Sequence, residues 1–209
     1  MALIHQATLR PSKPELLADW LPGRRWYTGP AGKVLWVAAF RFDDPADAVG
    51  IETVLVRVGD GPVHQVPLTY REAPLAGGDE WLLGTAEHSV LGKRWIYDGA
   101  GDPLYAATLT SAILGNTGQA EQLMQVDGRL ERREPSMSIA SSVTGGAEVP
   151  AVGGIQRVVD GDPTLIVTDT VELTVVRRLD AGTELTGTVL TGTWPGQETP
   201  IPLASVTEK

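Results

Sequence analysis

Ile155 to Val206 reads IQRVVDGDPTLIVTDTVELTVVRRLDAGTELTGTVLTGTWPGQETPIPLASV. Short runs of Val, Ile, Leu and Thr alternate with clusters of Gly, Pro and Asp, the pattern of strands joined by tight turns. Five strands are predicted in one antiparallel sheet: IQRVV, TLIVT, VELTVVRRL, GTELTGTVLTGTW and IPLASV. Upstream, Ser136 to Gly154 is rich in Ser, Gly, Ala and Thr, holds few anchoring side chains and reads as a mobile loop. Gln122 to Val126 predicts a further strand. A helix is predicted from Pro103 to Gly115, because Asp102 suits the cap, Pro103 suits the first turn, and Tyr105, Leu109 and Ile113 recur on one face.

The first half opens with another helix. Ser12 and Glu15 have capping-box spacing, Leu16, Leu17, Trp20 and Leu21 share a face, and Pro22-Gly23 ends the run. Lys33 to Phe42 (KVLWVAAFRF) is apolar on both faces and predicts a buried strand. Glu52 to Val58 alternates around Val54, Val56 and Val58. Val63 to Arg71 predicts a third strand, placed at an edge or a bulge because Pro67 cannot donate to a ladder. Glu80 to Gly101 is dense in aromatic and charged residues without a clean period.

Composition narrows the functions. The 209 residues, 42% hydrophobic and 21% charged, can bury a core as one large domain or two small ones. A formal charge of −9 argues against nucleic acid and anionic membranes as partners, since both need clustered Lys and Arg. No cysteine is present, so thiol nucleophiles and thiolate metal sites are excluded, and only three His remain. The 24 Gly and 15 Pro fit a turn-rich, mainly β protein. Neither a charged and apolar leader nor a run of some eighteen apolar residues occurs, and a cytoplasmic location is expected.

Nucleophile-elbow, Walker A and dinucleotide glycine motifs are missing. His5, His64 and His88 are far apart and lack metal-ligand spacing. Asp43, Asp44 and Asp47, and Asp160 with Asp162, could hold calcium or an acid–base pair, but turns require the same residues. No catalytic residue, cofactor or metal is therefore expected. Two segments remain as ligand candidates: Arg24, Arg25, Trp26 and Tyr27, and Lys93, Arg94 and Trp95. Aromatic faces beside cations can stack a sugar ring or a base. The same residues also suit core anchors, with Trp26, Trp95 and Tyr97 buried and arginine stems lying over them.

The run LADWLPGRRWYTG at Leu17 to Gly29 resembles the opening of bacterial maltokinases and related glucosamine kinases. VPLTYR with EHSVLGKRWIYDG also resembles stand-alone maltokinase cap-like proteins, some labelled α-glucan branching proteins. The resemblance implies an α+β fold of two β-rich subdomains. A curved antiparallel cap sheet with helices would span residues 1–100, and an antiparallel sheet like a protein-kinase small lobe would span 101–209. In such a lobe a strand Lys holds nucleotide phosphates and pairs with a helix Glu. Here Thr174 stands about where that Lys is expected, and no Lys lies between Lys93 and Lys209. Arg177 and Arg178 are poor replacements in geometry, Glu184 lies in a β-rich stretch, and the Asp160 to Pro163 turn has a single Gly. The chain as given stops at Lys209 without a catalytic lobe. The expectation is a non-catalytic binding or regulatory module tied to maltose-1-phosphate, trehalose or α-glucan metabolism. Its partner would be another protein or a second copy. The alternatives are a carbohydrate or sugar-phosphate binding protein and an accessory enzyme of α-glucan branching.

Overall fold

A computed structural model describes residues 2–4, 8–126, 129–146, 148–179 and 182–209. His5 and Asp180 fall outside them. The chain runs β1 (Ala2–Ile4), β2 (Leu9–Arg10), α1 (Lys13–Trp20), β3 (Val34–Phe42), β4 (Gly50–Val58), β5 (His64–Arg71), β6 (Leu82–His88), β7 (Gly92–Asp98), α2 (Pro103–Leu114), β8 (Gln122–Val126), β9 (Arg129–Arg132), β10 (Ser138–Ser141), β11 (Ile155–Val159), β12 (Thr164–Thr168), β13 (Val171–Val175), β14 (Thr188–Trp194) and β15 (Gln197–Glu208). Two six-stranded antiparallel sheets dominate, ordered β2-β6-β7-β5-β4-β3 and β10-β14-β15-β13-β12-β11. A small third sheet, β1-β8-β9, pairs β1 parallel to β8. The protein is mostly β with few helices, and among the described residues no helix is long and apolar enough to cross a membrane.

Both helices start on the predicted signals. The backbone N–H and the hydroxyl of Ser12 donate to Glu15 Oε2 at 2.8 and 2.7 Å, and a 3-10 turn over Leu21–Gly23 ends the first helical segment. The Leu104 N–H donates to Asp102 Oδ1 at 3.0 Å, and Arg71 grips the same carboxylate with two prongs, Nη2 donating to Oδ1 and Nε to Oδ2, both at 2.7 Å. Asp102 thus caps α2 and ties it to β5. Gly101 cannot be enlarged here, because a Cβ would fall 2.0 Å from the Trp81 ring.

The helices explain the burial. Leu16, Leu17 and Trp20 of α1 pack on one face of the first sheet, against Val54, Val56, Val66 and Ile96. Tyr105, Leu109 and Ile113 of α2 fill the space between the other face (Phe40, Ile51, Leu55) and the second sheet (Leu173, Leu190, Val206). Covered on both sides, β4 is buried at every residue from Ile51 to Val56, so the predicted alternation describes only half of it.

Three expectations are corrected. Lys33 to Phe42 is not buried on both faces: Leu35 and Trp36 are 38% and 41% exposed, because β3 is an edge strand whose register shifts between Trp36 and Ala38. Pro67 is neither at an edge nor in a bulge. Its strand is central, and the missing N–H is tolerated because pairing with β7 begins only at Leu68. The stretch expected to be a mobile loop contributes β10, anchored by buried Met137 and by the Ser141 hydroxyl, which donates to the Ile113 carbonyl at 2.6 Å. Among the five predicted strands of the second sheet, VELTVVRRL ends at Val175 and GTELTGTVLTGTW begins only at Thr188.

Beside α1 the sheet holds a charged cluster that periodicity does not reveal. Buried Glu52 pairs with Lys13 Nζ, accepts from the Tyr70 hydroxyl at 2.8 Å and has Arg41 at 4.0 Å. The Lys13 ammonium lies 5.6 Å from the Trp36 ring centre and 5.1 Å from that of Tyr70. Burial pushes the Glu52 carboxyl up, but Lys13, Arg41 and the hydrogen bonds from Lys13 and Tyr70 outweigh it and bring the pKa to about 2. A depressed carboxylate stabilises the fold above its ordinary value of 4.5 and stops doing so as pH falls towards 2. Denaturant unfolding of the native chain should therefore lose about 3 kcal/mol across that acid window, and Glu52→Gln should flatten the loss while lowering stability near neutrality. An unchanged acid profile in the variant would remove this assignment.

Candidate functional site

The segment after α1 folds into a ladder of rings and cations. Pro22-Gly23 turns the chain back, the Arg24 guanidinium sits 4.7 Å from the Trp20 ring centre, and Trp20 meets Trp26 edge to face at 5.8 Å. Trp26 is 3% exposed and carries a second guanidinium, that of Arg177, at 4.6 Å. The Tyr27 ring lies 4.8 Å from that of His64, and its hydroxyl donates to the Pro30 carbonyl at 2.6 Å. Arg25 is exposed, whereas Arg24 and Tyr27 are half-buried.

Arg177 is the end of the ladder and the centre of the molecule. Its side chain and that of Asp98 are both 0% exposed. Nη2 donates to Asp98 Oδ2 at 2.7 Å and Nε donates to Thr164 Oγ1 at 2.7 Å. Nη1 has no hydrogen-bond acceptor among the described residues, and the π face of Trp26 stands against the guanidinium instead. Burial pushes the Asp98 carboxyl upward against the pull of Arg177 and of the Ala100 N–H. The backbone joins in: the Arg177 carbonyl accepts from the Gln65 N–H at 2.8 Å, and the Leu179 N–H donates to the Val63 carbonyl at 2.9 Å. The Gln65 side-chain amide donates to the Val176 and Leu203 carbonyls, both at 2.9 Å. Asp162 Oδ1 accepts from the N–H groups of Arg177 and Arg178, which locks the β11–β12 turn to the same strand exit. The place where β5 meets the second sheet is thus crossed by hydrogen bonds made by the side chains of Gln65, Asp98, Asp162, Thr164 and Arg177, to one another and to backbone groups.

The second sequence candidate lies elsewhere. Lys93 is exposed on β7, 4.7 Å from the ring centre of half-buried Trp95, and Arg94 is half-buried. Trp26 belongs to the core beneath α1, whereas Trp95 leans on the core around α2, so the two segments support different cores. Among the described residues no three His, Asp or Glu side chains could hold a metal ion together. His64 is fully buried, and His88 Nδ1 accepts from the backbone N–H groups of Val90 and Leu91. Arg177, Asp98 and Gln65 were not legible as a unit because Asp98 and Arg177 are 79 residues apart. The one available cue was paired arginines ending an otherwise apolar strand. Asp98→Asn keeps the shape and the acceptor for Ala100 but strands a buried guanidinium, and should cost about 3–5 kcal/mol in denaturant unfolding. Arg177→Met should cost a similar amount, and the double variant should cost less than the two added together.

No curated protein matches the chain. Residues 20–102 match the model of the maltokinase N-terminal cap domain. That span holds the basic–aromatic segment, the strands β3 to β7 and the carboxylates of Asp98 and Asp102. Arg177 and the second sheet lie beyond it. Over residues 20–102, less than half of its length, the chain is similar to maltokinase N-terminal cap domains.

Proposed function

We propose that the chain is a non-catalytic, cytoplasmic binding or regulatory module related to the N-terminal half of maltokinase, serving maltose-1-phosphate, trehalose or α-glucan metabolism. In this reading the second sheet is the counterpart of a kinase small lobe that does not handle nucleotide. The observation that carries it is the environment of Thr174 on β13. Its neighbours across the sheet are Leu165 and Ser205, and the chain has no Lys between Lys93 and Lys209 to supply the ammonium a nucleotide phosphate requires. The guanidinium of Arg177, which follows on the same segment, is already engaged by Asp98 and Thr164. The cap-domain match supplies the metabolic link. A protein partner or a second copy is the expected mode of action.

The test is phosphoryl transfer from Mg–ATP to maltose, trehalose or glucosamine, followed by phosphorus NMR. No sugar phosphate should form above the buffer control, and Thr174→Lys should not create the activity. Turnover by the native chain that is abolished in Arg177→Met, with the variant still folded, would overturn the reading.

A further inference from the structure

The sequence of α2, PLYAATLTSAIL, is twelve residues without a charged side chain. A helix of that composition is normally covered all round. One side of α2 is covered by the two sheets, yet Leu104, Ala107, Thr108 and Ser111 on another flank are only half-buried. They form one wall of an open groove of about 380 Å³, whose other wall includes Phe42 and Pro45. The exposed residue Asp43 puts a carboxylate at the groove, and among the described residues that line it there is no Lys or Arg. An occupant that fits is apolar at its tip and cationic beside it.

The turn between β6 and β7 has that chemistry. Val90 and Leu91 are adjacent large apolar residues, 57% and 46% exposed, and exposed Lys93 and half-buried Arg94 follow at once. The tip is built to present them. Nδ1 of His88 accepts from the N–H groups of Val90 and Leu91 at 3.2 and 3.0 Å, and the Ser89 N–H donates to the Thr8 carbonyl at 3.0 Å. Gly92, at φ +71°, supplies the left-handed residue that returns the chain to β7. Little ordering cost would remain on docking. The tip cannot reach the groove of its own chain: Phe42 is in the same row of the sheet as Tyr97, three strands away, and the turn lies at the opposite end of β7.

The geometry points to a second copy of this chain as the occupant: Val90 and Leu91 of one protomer enter the groove along α2 of the other, and Lys93 and Arg94 approach Asp43. A two-fold pair makes this contact twice. The inference stands apart from the catalytic question, since it is read by mass rather than by turnover.

Sedimentation velocity of the full chain over a concentration series should show a dimer. Leu91→Glu at the tip and Ala107→Glu in the groove should each weaken it by about thirtyfold or more, as expected for a lost anchor. Circular dichroism and thermal unfolding identify a misfolded variant, in which case Thr108→Lys replaces the groove substitution. An equimolar mixture of the tip and groove variants should form a heterodimer retaining one intact contact, tighter than either variant alone. A native chain that stays monomeric at every soluble concentration, including one whose groove takes up a different protein, would overturn the proposal. So would a dimer that survives both substitutions.

Discussion

A guanidinium and a carboxylate, both withdrawn from solvent, determine how the two large sheets meet. Arg177 leaves the second sheet just after β13 and reaches Asp98 at the end of β7 in the first, with Thr164 and Trp26 taking up other parts of the same group. Desolvating two charges is expensive, so such a pair is weak as a source of net stability. Its value is positional. Any slippage of one sheet along the other would leave a buried charge without its partner. The basic–aromatic segment of the cap domain is consistent with this role, since Trp26 serves as the wall against which Arg177 is held, and Arg24 over Trp20 continues the stack towards the surface.

The second constraint is α2. Its residues Tyr105, Leu109 and Ile113 contribute to a core shared by both sheets, and Asp102 fixes where the helix starts by accepting from Leu104 and pairing with Arg71. One side chain therefore sets the helix terminus, its orientation against β5 and the neutralisation of an arginine on the first sheet. The charged cluster around Glu52 does comparable work on the opposite face, holding the start of α1 to β4 through Lys13. Each helix is thus attached by a carboxylate and a cation as well as by apolar burial.

Elements with local signals were legible in the sequence. Ser12 with Glu15, and Asp102 with Pro103, located both helices because caps act within a few residues. The Gly, Pro and Asp turns separated the strands of the second sheet, and the Leu17 to Gly29 run pointed to the cap family. What was misread depended on neighbours distant in sequence. Pro67 suggested an edge because its tolerance depends on where β7 starts to pair, and Leu35 and Trp36 looked buried because hydropathy does not register an edge strand. Ser136 to Gly154 lacked anchors only until Ser141 could find the end of α2. Of the two basic–aromatic segments, composition alone could not distinguish a ladder that ends in the core from a cation and ring at the surface.

Gln65 gives the joint a further consequence. Its amide spends both N–H bonds on carbonyls of the second sheet, while its own backbone N–H bonds to Arg177. Those bonds belong to neither sheet alone. The two sheets are therefore joined by bonds that neither could keep without the other, and an exchange of one half between relatives would have to carry Gln65, Asp98, Thr164 and Arg177 together. A match to the cap family over residues 20–102 includes two of these four positions, and the other two travel with the part of the chain that lies beyond it.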